Sequence, residues 1–74
     1  MKEDIENLRK LSAENASIYT KATVDRVIEA CYREARCGNW NYELEKHERS
    51  YEVIMLLRVE GFKVEGNVVY WEAE

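Results

Sequence analysis

The dipeptide Gly66-Asn67, set between Phe62-Lys63-Val64-Glu65 and Val68-Val69-Tyr70-Trp71, constrains this chain more than any other feature. A two-residue loop of this kind favours the primed turns whose twist matches a β-hairpin. It also sets the register, with Glu65 opposite Val68, Val64 opposite Val69, Lys63 opposite Tyr70 and Phe62 opposite Trp71. Side chains alternate across a strand. Phe62, Val64, Val69 and Trp71 therefore share one face, while Lys63, Glu65, Val68, Tyr70 and Glu72 share the other. A lone hairpin is hardly stable in water, so the apolar quartet needs a cover. The segment just before it can supply one. Ser50 reads as an N-cap, Val53, Ile54, Leu56 and Leu57 give residues 51–60 a buried side, and Gly61 is a C′ stop.

Upstream, the chain contains no proline and its first glycine is Gly38, so nothing in residues 1–37 forces a helix to end. Two apolar stripes lie in that stretch. Ile5, Leu8 and Leu11 form a narrow one, and Val24, Val27, Ile28, Cys31 and Ala35 form a broader one at helical spacing. Between them, Ser17-Ile18-Tyr19-Thr20 is a poorer helix former that offers N-caps. Either the helix breaks near residues 15–20, or it runs on as a rod of roughly 50 Å. In Asn39-Trp40-Asn41-Tyr42-Glu43-Leu44-Glu45, Trp40, Tyr42 and Leu44 alternate with polar residues, which reads as a half-buried strand. The expected fold is a single α+β domain: N-terminal helix or helices over about 2–37, a short strand, helix 50–60 and a C-terminal hairpin completing a small antiparallel sheet.

Size and charge narrow the function. A 74-residue chain has a marginal core, and small domains compensate with disulfides, a metal or self-association. Cys31 and Cys37, six apart on one helix, are out of disulfide reach, and His47 is the sole histidine, so neither a bridge nor a metal site is expected. Self-association is the remaining device, and helix 1–16, projecting or paired through Ile5, Leu8, Leu11 and Ile18, is the natural interface. Residues 1–37 carry seven basic and seven acidic side chains; residues 38–74 carry four and eight, so the net charge of −4 sits in the second half. No basic stripe is available for phosphates, so direct DNA or RNA binding is not expected. A winged-helix regulator is a weaker alternative, because its recognition helix 51–60 would offer only Arg58 to the bases. No apolar run approaches a membrane span and the N-terminus lacks signal-peptide order, which makes the cytoplasm the expected location.

The residue types that carry chemistry are better explained structurally. His47 lies in a charged connector, Glu43 and Glu45 fall on the wet side of a strand, and Ser12, Ser17 and Ser50 read as helix-end residues. The glycines stand at element boundaries and form no phosphate loop. No catalytic residue and no cofactor is expected. Aromatic residues often anchor interfaces, so a partner-binding surface is expected at Val68 and Tyr70, with Glu65, Glu72 and Tyr42 around it.

Ser12 and Asn15, Ala35 and Gly38, then Leu57, Gly61, Phe62, Val64, Val69 and Trp71 give a pattern of a long helix ending at glycine, then Leu-x-x-x-Gly-Phe-x-Val and a final Val-x-Trp. This layout resembles a class of short accessory or virion-associated proteins of tailed bacteriophages, over most of the chain. The resemblance implies a phage-encoded protein that binds a host protein, with inhibition of that protein as one outcome, or builds a virion-associated assembly. It carries no catalytic residues to transfer. The short Gly66-Asn67 turn departs from the longer loop such proteins often have. Two uses follow as expectations: protein binding through the acidic half, and self-assembly through the N-terminal helices. A small-ligand sponge at an oligomer interface is a third, unsupported by any motif.

Overall fold

The structure is a computed structural model, described here over residues 2–72. In order it contains α1 (Lys2–Glu14), α2 (Ile18–Arg36), β1 (Asn41–Glu43), a 3-10 turn (Lys46–Glu48), α3 (Tyr51–Val59), β2 (Lys63–Glu65) and β3 (Val68–Tyr70). This is an α+β fold. The three-stranded sheet is antiparallel throughout, in the order β1-β3-β2.

The N-terminal stretch forms two helices, and the break lies where the sequence offers a cap. The hydroxyl of Ser17 accepts from the Thr20 backbone N–H at 3.1 Å, which starts α2. Lys21 Nζ donates to the Glu14 carbonyl at 2.9 Å and closes α1 from the other side. At its far end α2 stops in a Schellman arrangement, with Gly38 N–H on the Ala35 carbonyl and Asn39 N–H on that of Glu34. The same pattern ends α3. Gly61 has φ of 103°, its N–H bonds the Arg58 carbonyl, and the Phe62 N–H bonds that of Leu57. Leu57 belongs to the core and Phe62 packs against that core, at the two positions whose apolar contact usually accompanies this cap.

The hairpin keeps the register set by its turn: Lys63 opposite Tyr70, Val64 opposite Val69 and Glu65 opposite Val68. Gly66 has φ of 59° and no non-glycine described residue has positive φ, which is the pattern of a type II′ turn. The ladder is shorter than residues 62–72. Phe62 and Trp71 lie outside the strands, yet both pack against the core, as the apolar face requires. β1 is likewise only the centre of the expected 39–45 strand. Its pairing does extend beyond the strand, through Trp71 N–H to the Trp40 carbonyl and Leu44 N–H to the Asn67 carbonyl.

The core comprises Val24, Val27 and Cys31 from α2, Leu44 after β1, Val53 and Leu57 from α3, Val64 from β2 and Val69 from β3. Helices α2 and α3 thus cover one face of the sheet. Two members of the expected apolar rows are not in it. Trp40 is 56% exposed and Ala35 is exposed, at the edge of the sheet where the chain leaves α2 and enters β1. Conversely Thr23 and Ala30 are buried; the Thr23 hydroxyl is satisfied by the Tyr19 carbonyl at 3.0 Å.

Candidate interaction surface

α1 is amphipathic, yet none of its residues is buried. Ile5, Leu8 and Leu11 are 51%, 62% and 57% exposed. Fully burying one such side chain is worth about 1.5–3 kcal/mol, so the stripe leaves roughly 3–5 kcal/mol of burial unrealised. α1 lies beside α3, and between them runs an open groove of about 560 Å³. Its walls are mainly apolar: Ile5, Leu8, Ala13 and Ala16 on one side, Tyr51, Met55 and Leu56 on the other. Arg9 and Glu52 are its charged lining residues. Of the four residues expected to make an interface, the structure brings Ile5 and Leu8 together in the groove. Leu11 lies on the adjoining flank of α1. Ile18, at the first position of α2, is 88% exposed and does not line the groove. Tyr51 at the start of α3, an aromatic the interface reading had missed, is exposed beside it.

The other expected surface is the outer face of the sheet. The registers place Asn41, Tyr70 and Lys63 in one row across the three strands, and Glu43, Val68 and Glu65 in the next. Alternation sets both rows opposite the buried Val64 and Val69. Val68 and Tyr70 are half-exposed, and Glu43, Glu65 and Glu72 are exposed. Tyr42 does not belong with them. It pairs with Val69 on the covered face and turns its hydroxyl inward to Glu48. The outer edge of β2 is also occupied: Arg58 Nη2 donates to the Val64 carbonyl at 2.9 Å, blunting an edge that could otherwise accept another strand.

Glu48 is the one buried carboxylate among the described residues, and its work is structural. One carboxylate oxygen accepts from the Tyr42 hydroxyl at 2.7 Å and from the Glu45 backbone N–H at 2.8 Å. The Glu48 N–H in turn bonds the Glu45 carbonyl at 2.8 Å, and together these residues form a capping box around the 3-10 turn. His47 stands outside it, with Nδ1 3.7 Å from Glu45 and Nε2 4.0 Å from Glu48, on a surface turn rather than in a cleft. Arg49 Nε ties the turn back to the Leu44 carbonyl at 3.0 Å. Burial, then the hydrogen bond to Glu48, then its negative charge hold the Tyr42 hydroxyl well above the ordinary phenol range. Burial first, and then the charges of Glu48 and Glu34, push the Cys31 thiol from 9.0 up to about 11. Cys31 is therefore a protonated core side chain, whereas Cys37 is exposed at the end of α2.

The sequence reading did not single out Glu48, which stands in the charged connector beside His47. The signal that could have found it is the Glu45…Glu48 spacing ahead of a helix, a capping-box spacing with a carboxylate at each end. Among the described residues no group of three or more His, Cys, Asp or Glu is placed to hold a metal, and no helix is long and apolar enough to cross a membrane. Compared with protein-family models, with curated proteins and with solved structures, the chain matches none.

Proposed function

We propose that this chain is a non-enzymatic protein-binding module whose docking surface is the exposed apolar face of α1 with the groove between α1 and α3. The observation behind this reading is that a thirteen-residue amphipathic helix contributes nothing buried to its own fold. Helices of that length are marginal in water by themselves, and most helical stability comes from packing an apolar face. The groups that could carry chemistry support the same reading through what they are engaged in. Ser17 and Ser50 cap helices, Glu48 holds the 3-10 turn, and Cys31 is buried and protonated. Incorporating a photo-cross-linking side chain at position 8 or 11, and at the exposed position Glu29 as a control, tests the proposal in cells. Protein adducts concentrated at 8 and 11 are expected; equal yields at all three positions would contradict it.

A second use is favoured by the outer sheet face. Val68 and Tyr70 form a half-exposed apolar and aromatic strip, and Glu43 and Glu65 flank Val68 in the same row. Such a strip suits a basic partner protein. The proposal extends to a phage-encoded protein acting on a host partner in the cytoplasm, on the strength of the resemblance alone. Its pattern residues Leu57, Val64 and Val69 are core side chains and Gly61 is a helix stop, so they specify the fold more than the partner. Tyr70→Ala together with Val68→Lys should abolish salt-sensitive capture of such a partner. Unchanged capture would remove this second use.

A further inference from the structure

We infer that the occupant of the α1 face is the α1 helix of a second copy of this chain, lying antiparallel across a two-fold axis at Leu8. The inference rests on the reading of α1 as the docking surface and names what docks there. Three features of α1 support it.

The first is symmetry. Ile5, Leu8 and Leu11 are evenly spaced by three residues, so the stripe reads the same from either end about Leu8. An isologous contact requires a self-complementary patch, in which residue i meets j and j meets i. Antiparallel pairing about Leu8 supplies this, with Leu8 on Leu8 and Ile5 on Leu11 of the partner in both directions.

The second is charge. Glu3, Asp4 and Glu6 crowd the first turns of α1, while Arg9 and Lys10 follow in its second half. A parallel pair would set acidic turns beside acidic turns. In the antiparallel register the acidic first half of α1 instead runs alongside the partner's half that carries Arg9 and Lys10. Opposed helix macrodipoles add to this preference.

The third is the continuity of the stripe with the groove. Ile5 and Leu8 belong to both, so a helix on the stripe also borders Tyr51, Met55 and Leu56. A stable dimer covers about 800 Å² per partner, more than a single short stripe offers. The groove wall and the exposed Tyr51 extend the surface in the direction a second copy would need. The resulting assembly has α1 and α3 of each copy around one two-fold axis, with the sheets and their acidic outer faces turned away from it.

Cross-linking of single-cysteine variants in a Cys37→Ser background tests the geometry, and sedimentation tests the mass. The purified chain should sediment at twice 8.8 kDa at high concentration. Leu8→Cys should cross-link to itself with a short bismaleimide. Neither Ile5→Cys nor Leu11→Cys should do so alone, but an equal mixture of the two should give the mixed dimer. Leu8→Glu, an exposed position whose change leaves the core intact, should weaken association by about a hundredfold or more, because the dimer loses two buried leucines. Self-cross-linking of Ile5→Cys as efficient as that of Leu8→Cys would mean a parallel pair and would overturn the inference. So would a monomer at every concentration. If that monomer still formed adducts with another protein from position 8, the second copy would be excluded as occupant while the docking face itself stood.

Discussion

Glu48 shows how a charged residue becomes a core residue. Its carboxylate replaces lost water with the Tyr42 hydroxyl and the Glu45 N–H, and among the described residues no buried side-chain nitrogen or oxygen is left without a partner. Hydrogen bonds to a charged group are worth about 1.5–3 kcal/mol each, so Glu48→Ala should cost roughly 3 kcal/mol or more in urea denaturation, and Tyr42→Phe about half of that. If Glu48→Ala cost no more than a surface substitution, the clasp would be incidental. Alkaline pH should act on the same neighbourhood. Cys31 and Tyr42 are both raised, so the folded state holds protons that the unfolded chain gives up. The stability they contribute is fully present below pH 9.0, the ordinary thiol value, and for Cys31 is lost as pH climbs through about 11. Urea midpoints should therefore fall above pH 9, and less steeply in Cys31→Ala; identical slopes would contradict this. With a disulfide reagent at neutral pH, Cys37 should react at once and Cys31 only on unfolding. At this scale the sequence was legible for Cys31, whose burial followed from helical periodicity. It was not legible for Glu48 and Tyr42, because a polar connector and a tyrosine on a strand say nothing of each other until the chain folds back.

Elements are set here by their ends more than by their middles. Ser17, Gly38, Ser50, Gly61 and Gly66 each stand where a helix starts, a helix stops or a strand turns. Hence the order of elements, both helix stops and the hairpin register could be read from residue types alone. Strand lengths could not, because alternation continues into residues that leave the sheet. Trp40 has the spacing of Tyr42 and Leu44 but lies beyond the last position that α2 covers. One helix or two over residues 1–37 also stayed open, since the Ser17 cap competes with a sequence otherwise free of helix breakers. The glycine stops give a clean experiment. A methyl at Gly61 would meet nothing within 4 Å, so Gly61→Ala carries a conformational cost without a clash. Holding a non-glycine residue at positive φ costs about 1–2 kcal/mol, and the variant should lose that much stability with its sheet intact. Ser50→Ala should lose about 1 kcal/mol by removing the bond to the Val53 N–H. A neutral result at either position would mean that tertiary packing, not the cap, ends α3.

The whole molecule is looser than its length requires. Its radius of gyration is 12.6 Å. A compact chain of this size would have about 11 Å. α1 accounts for the difference in kind: it borders the groove without filling it, while α2, α3 and the sheet enclose the core. That the N-terminal helix would need cover was legible in the sequence, from an apolar stripe with too little chain left to bury it. The groove was not, because Tyr51, Met55 and Leu56 face α1 only through the fold. The assembly inferred for this chain supplies the cover from a second copy, and it makes the order of α1 depend on concentration. Hydrogen exchange of the α1 amides measures this directly. Across residues 3–14, protection should rise with protein concentration toward that of α2, and in Leu8→Glu it should stay low while the core amides are unchanged. Protection of α1 that is independent of concentration and survives Leu8→Glu would show that α1 is held by its own chain, and would contradict the account.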